Sequence, residues 1–215
     1  MSEITAKRDT IAKWAKSLFD RGLTGGSSGN ISLRLSDGSL LVTPTGSSMG
    51  FLEPENIAHL DTDGRLLSGQ APTKEMPLHR AFYDTRGGTG AVVHLHSTHS
   101  VALSVMPEID EDNVLPALTA YGVMRVGKVK LLPFFLPGDA QMGDALRGVA
   151  AKHAAVLLAH HGPVVAGKTL EAAIFAMEEL EETAKLALIT RGANLRLLSD
   201  PQIRSLVRKF DVQWG

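Results

Sequence analysis

Ala91-Val92-Val93-His94-Leu95-His96 is an apolar, β-branched run that ends in two histidines, and its reading decides the fold. A short valine-rich run of this kind is the pattern of a buried strand, and side chains two apart on a strand point to the same face. His94 and His96 therefore present two imidazoles together. A second run, Ala155-Val156-Leu157-Leu158-Ala159-His160, leads directly to His161, so a neighbouring strand end is expected to deliver a third nitrogen. Three neutral imidazoles can hold one divalent ion and leave coordination positions open, which is the pattern of a catalytic zinc site rather than a structural one. A histidine pair is also compatible with ordinary core packing, and the chain has 8 histidines. His59, His79, His99 and His153 read as surface or core residues without convergent partners.

Working outward, residues 3–21 place Ile4, Ile11, Trp14, Ala15, Leu18 and Phe19 at helical spacing before Gly22, an amphipathic opening helix. Gly25 to Asn30 is a polar turn. Ile31 to Leu35 alternates as a half-buried strand, Asp37-Gly38 supplies a hairpin turn, and residues 39–43 return. A further strand pair is expected around Ile57-Ala58-His59-Leu60 and Leu66-Leu67. Residues 75–83, 101–106, 139–153, 170–189 and 201–210 read as helices, and 129–135 and 154–160 as strands. Hairpins first and helices on the flanks predict an α/β fold, a three-layer α/β/α sandwich around a mostly antiparallel or mixed central sheet.

With 215 residues, 44% of them hydrophobic, the chain can bury a sizeable core and is expected to form one domain over 1–215. A net charge of −1, from 22 basic and 23 acidic side chains, provides no long-range field for nucleic acid or an anionic membrane. Any bound anion must be held by local donors. Cysteine is absent, which excludes disulfides and thiolate chemistry. The start of the chain lacks the apolar segment of a secretory signal, and no run approaches the ~20 apolar residues of a membrane span. A cytoplasmic location is expected.

Gly162-Pro163-Val164-Val165-Ala166-Gly167-Lys168-Thr169 matches the phosphate-loop pattern G-x-x-x-x-G-K-[ST], which would make this a nucleotide-binding protein. Two physical features oppose it. The residues after Thr169 form helical patterns without an apolar strand ending in Asp to hold magnesium. The loop interior is also apolar and β-branched, whereas a phosphate cradle needs small residues whose amides turn inward. A tight hairpin turning at Gly167-Lys168, with Thr169 capping the helix that follows, fits the residues better.

Glu75 is the candidate acid/base, at an expected helix start ahead of the histidine strand, where a plain first-turn glutamate is the alternative. Ser28-Gly29-Asn30, Thr45-Gly46 with Ser47, and Thr73-Lys74 are three turns rich in hydroxyls, glycine and amides. Such loops can bind phosphate locally, though simple turn chemistry also explains each.

Ser28-Gly29-Asn30-Ile31-Ser32, Thr43-Pro44-Thr45-Gly46, Pro72-Thr73-Lys74-Glu75, Val93-His94-Leu95-His96-Ser97 and His160-His161-Gly162-Pro163 occur in this order. Together they resemble the class II aldolase/adducin family over roughly residues 5–190. Within it, Thr43 to Ser48, Pro72 to Glu75, Val123 to Gly127 and Glu178 to Lys185 are most similar to the 3-oxo-tetronate 4-phosphate decarboxylase branch. The resemblance implies one Zn2+ per subunit on His94, His96 and His161, with Glu75 as a labile fourth ligand and as the acid/base. It implies a substrate phosphate held by Ser28, Gly29, Asn30, Thr45, Gly46, Thr73 and Lys74. Tyr121 would assist protonation from a neighbouring subunit of a homotetramer whose active sites lie between subunits. The family commonly has Asn where His160 stands, and Gly162 sets the third ligand at His161.

The implied activity is a lyase that forms an enediolate, decarboxylating a small phosphorylated sugar acid. Aldol cleavage or epimerisation of a ketose phosphate passes through the same kind of intermediate and stays open, as do a nucleotide-binding protein and a non-catalytic relative.

Overall fold

Eight strands form one sheet in the order β4-β3-β2-β1-β5-β8-β7-β6 in this computed structural model, which describes residues 2–214. The strands are β1 (Asn30–Arg34), β2 (Leu40–Val42), β3 (Ala58–Leu60), β4 (Leu66–Ser68), β5 (Ala91–His94), β6 (Val129–Leu132), β7 (Ala155–Leu158) and β8 (Gly162–Gly167). All neighbours are antiparallel except β6 and β7. That parallel pair needs a crossover, and a helix, α4 (Ala140–Ala150), lies between the two strands in the chain. The sheet is mixed.

Strand alternation sends side chains to two separate cores. On one face Ile31, Leu33, Leu41, Val93, Leu157 and Val165 meet residues of α1 (Glu3–Asp20), α3 (Thr98–Ser104) and α5 (Leu170–Ile189). On the other, Leu40, Val42, Val92, Val156, Leu158 and Val164 meet α2 (Met76–Thr85) and α4. Adjacent strand residues such as Val92 and Val93 thus serve opposite layers, which is the three-layer α/β/α sandwich expected. Each large side chain so buried stabilises the fold by about 1.5–3 kcal/mol.

Local chemistry sets the helix starts. The Ser2 hydroxyl accepts from the Thr5 amide at α1, Asp139 from Gln141 at α4, and Thr169 from Ala172 at α5. The last helix, α6 (Asp200–Phe210), has no buried residue and packs on the π-helical turn Gly122–Val126.

The segment 162–169 departs from its sequence reading. Residues 162–167 are not a loop or a hairpin tip but β8, a central strand between β5 and β7. The hairpin turns at Ala159-His160-His161, and Gly167-Lys168 is the step from strand to helix. A buried strand on a covered sheet shows no polar alternation, so its flanking glycines dominated the pattern. Val164 and Val165 are fully buried in the sheet, which removes the phosphate-loop reading.

Candidate metal centre

Glu75, His94, His96 and His161 converge, each offering one ligand atom within 4.8 Å of all the others. His94 ends β5, His96 lies two residues on, and His161 leaves the β7 to β8 turn. Glu75 occupies the N-cap position of α2 rather than its first turn. Gly162 makes the arrangement possible, because a Cβ there would lie 2.2 Å from the Leu95 carbonyl oxygen. Only glycine lets the β8 hairpin close against the end of β5. His160, by contrast, is exposed with φ 58°, and points its chemistry elsewhere. His161, not His160, is the member of the cluster.

The donor set fits a divalent ion. His94 Nδ1–H donates to the Pro163 carbonyl at 2.9 Å, which leaves the Nε2 lone pair facing the cluster. His94 Nε2 lies 3.3 Å from His161 Nε2 and 3.4 Å from Glu75 Oε2, and His161 Nε2 lies 3.2 Å from Glu75 Oε1. A tetrahedron with metal bonds of about 2.0–2.1 Å has edges of about 3.3–3.4 Å. These three separations among His94, His161 and Glu75 match ligands spaced for one ion, and a His96 nitrogen lies within 4.8 Å of the other three atoms.

Electrostatics favour the same protonation states. Burial pushes His94 down to about 3, keeping it a neutral donor at neutral pH, and burial also lowers His96. Burial opposes the charge on Glu75, but hydrogen bonds from His161 and Asn30 and the nearby His94 hold its carboxyl well below the usual range. Neutral imidazoles around an ionised carboxylate are what a cation requires.

Ser28, Gly29, Asn30, Thr45, Gly46, Thr73 and Lys74 all line one cavity of about 190 Å³ with Glu75, His96 and His161. Pro137 and Gly138, ahead of α4, complete its wall and carried no signal in the sequence beyond that of a turn. The Thr73 amide bonds the Thr43 carbonyl, and the Thr45 amide bonds the Ala71 carbonyl, tying two of the loops together. Gly29 has φ +81° and a Cβ there would press on the His94 carbonyl oxygen at 3.0 Å, so the first loop needs its glycine. Asn30 differs from the other loop residues: its side-chain amide donates to Glu75 Oε2 at 2.7 Å. Tyr121 is not at this cavity. It is 56% exposed and lines a separate cleft of about 530 Å³ with Arg21, Arg125 and Phe175.

His79 was read from sequence as unconnected, and that is corrected: its Nε2 lies 2.5 Å from Asn30 Oδ1, directly behind Glu75. The signal was available, since Glu75 and His79 are four apart and share a side of the helix start.

The Class II Aldolase and Adducin N-terminal domain family matches residues 9–188. The chain belongs to this family. The class II aldolase-like chain is 47% identical over 199 residues to the 3-oxo-tetronate 4-phosphate decarboxylase of Escherichia coli, covering 93% of this chain and 94% of that protein. It is 43% identical over 218 residues to the 3-oxo-tetronate 4-phosphate decarboxylase of Cupriavidus necator, covering 100% of both. Among solved structures it is similar to YgbL of Escherichia coli, with TM-score 0.93 and 44% identity over 95% of this chain and 99% of that one.

Proposed function

We propose that this class II aldolase-like protein is a zinc-dependent carboxy-lyase that converts 3-oxo-tetronate 4-phosphate to dihydroxyacetone phosphate and carbon dioxide. The observation that carries the reading is the convergence of Glu75, His94, His96 and His161 on the cavity bounded by the three polar loops. Full-length similarity to proteins named for that reaction supports the choice of bond.

In this reading His94, His96 and His161 hold the ion, with Glu75 as a labile fourth ligand. When bound there, a divalent ion would supply Lewis-acid stabilisation of the charge that develops on the ketone oxygen. Ser28, Gly29, Asn30, Thr45, Gly46, Thr73 and Lys74 hold the remote phosphate through local donors. Binding energy there orients the carboxylate-bearing carbon without touching it. When the bond from carbon 2 to the carboxylate breaks, carbon dioxide leaves and its electron pair forms the enediolate of dihydroxyacetone phosphate. Glu75, ionised at rest beside the ligand nitrogens, takes up a proton from solvent and returns it to carbon, with Tyr121 assisting from a neighbouring subunit of a homotetramer.

The Tyr121 cleft and the exposed apolar side chains of Phe51, Tyr121, Phe134, Leu136 and Ile189 support an assembly that covers them. A cytoplasmic location belongs to the same reading. No described helix is long and apolar enough to cross a membrane.

The test is a side-by-side assay of carbon dioxide release from four-carbon 3-oxo acid phosphates and aldehyde release from ketose 1-phosphates. Carbon dioxide release is expected to dominate; aldehyde release without it would overturn the assignment in favour of an aldolase.

A further inference from the structure

Behind the Glu75 carboxylate runs a file of buried polar groups that metal binding does not by itself require. Asn30 Nδ2 donates to Glu75 Oε2 at 2.7 Å, and Asn30 Oδ1 lies 2.5 Å from His79 Nε2. His79 Nδ1 lies 2.7 Å from Ser32 Oγ, which in turn lies 2.8 Å from the Tyr83 hydroxyl. His79 and Ser32 are completely buried, and Asn30 and Tyr83 nearly so. Two sequence periods build the file. Asn30 and Ser32 are two apart on one face of β1, while Glu75, His79 and Tyr83 are four apart along one side of α2 and its N-cap.

The direction of every hydrogen bond follows from one end. An ionised carboxylate only accepts, so Asn30 turns its amide nitrogen to Glu75 and its carbonyl to His79. That carbonyl needs a donor, which puts the proton of a neutral His79 on Nε2 and leaves Nδ1 to accept from the Ser32 hydroxyl. Ser32 then accepts from the Tyr83 phenol. All the donors point towards Glu75, and no atom of the file is left without a partner. Burial keeps His79 neutral, with its pKa lowered to about 4, as this pattern requires.

We propose that His79 is a positioning residue for Glu75: by donating to the Asn30 carbonyl it fixes which end of the Asn30 amide meets the carboxylate. That holds Glu75 in the rotamer that faces His94 and His161. Without the imidazole, the amide can turn its carbonyl to Glu75 and repel it. The inference rests on the proposed role of Glu75 as ligand and proton carrier. Partners of this kind around a metal site typically change metal affinity or activity about 10–100-fold when removed.

The test compares His79→Leu and His79→Gln in the wild-type and Glu75→Gln backgrounds. It reads zinc affinity by chelator competition, together with kcat and KM for carbon dioxide release. His79→Leu is expected to lower zinc affinity or kcat about 10–100-fold with KM little changed. His79→Gln, whose amide can donate to Asn30 and accept from Ser32, recovers most of that loss. In the Glu75→Gln background His79→Leu adds no further loss, because its effect travels through the carboxylate. Equal losses in both backgrounds, or none in wild type, would overturn the proposal while leaving the role of Glu75 intact. Full activity of Glu75→Gln alone would overturn the reading on which it rests. Should His79→Leu fail to fold, Ser32→Ala makes the same comparison with a smaller change. A weaker loss confined to the wild-type background is expected, and an equal loss in both contradicts the proposal.

Discussion

At Glu75 one carboxylate meets two histidines through its two oxygens and an asparagine through one of them. Replacing it with glutamine keeps the three imidazoles, so Glu75→Gln is expected to retain metal while losing most turnover. Metal analysis alongside kcat checks this, and unchanged turnover would assign the proton to another group. The buried histidines make a second prediction, on stability. His79 titrates at about 4 and His94 at about 3 when folded, against about 6.5 when unfolded. The unfolded chain binds these protons first, so the stabilisation is fully present above about pH 6.5. It is lost as pH falls from there towards 4, by about 1.4 kcal/mol per pH unit for each histidine. Thermal melts of metal-stripped protein between pH 7 and pH 5 should show a falling Tm, and the slope should be shallower in His79→Gln. The clustering of His94, His96 and His161 was legible from two spacing rules and two apolar runs. His79 was legible only in its four-residue spacing from Glu75; its partner Asn30 comes into reach only when the faces of β1 and α2 meet.

The hairpin of β7 and β8 and the end of β5 form the element on which the centre depends. Gly162 lets the two approach, with a would-be Cβ 2.2 Å from the Leu95 carbonyl oxygen. Gly162→Ala must therefore push His161 away from His94. The expected result is a destabilisation of about 1–3 kcal/mol, measured by denaturant unfolding, together with weaker metal binding. Native affinity in that variant would show that the hairpin adapts. At the start of α5, Thr169→Ala removes a cap and should cost about 1 kcal/mol with activity preserved, because neither Lys168 nor Thr169 lines the cavity that Glu75, His96 and His161 share. The amphipathic helices were readable from their apolar spacing and α5 also from its cap. The interior strand β8 was hidden by its own glycines. Local turn signals won on paper, while in the fold Val164 and Val165 are fixed by pairing with β5 and β7, partners remote from or invisible to a local pattern.

Across the whole molecule, the mixed sheet places the loops at 28–30, 45–46 and 73–74 around one cavity that Glu75, His96 and His161 also line. Tyr121 stands apart on an exposed cleft, so its part in the proposed chemistry requires a second chain. Sedimentation is expected to find a four-chain assembly, and a monomer that turns over at the full rate would remove Tyr121 from the account. The order of the five motifs along the chain carried the family, and their spatial meeting is what the sequence could state only as an expectation. The central claim, that a single ion on His94, His96 and His161 drives loss of carbon dioxide, is tested by titrating zinc into metal-stripped protein with 3-oxo-tetronate 4-phosphate present. Carbon dioxide release should start from near zero, rise in proportion to added zinc and level off at about one ion per chain, while His96→Ala stays inactive. Release at the full rate before any zinc is added, or an equal response from His96→Ala, would contradict it.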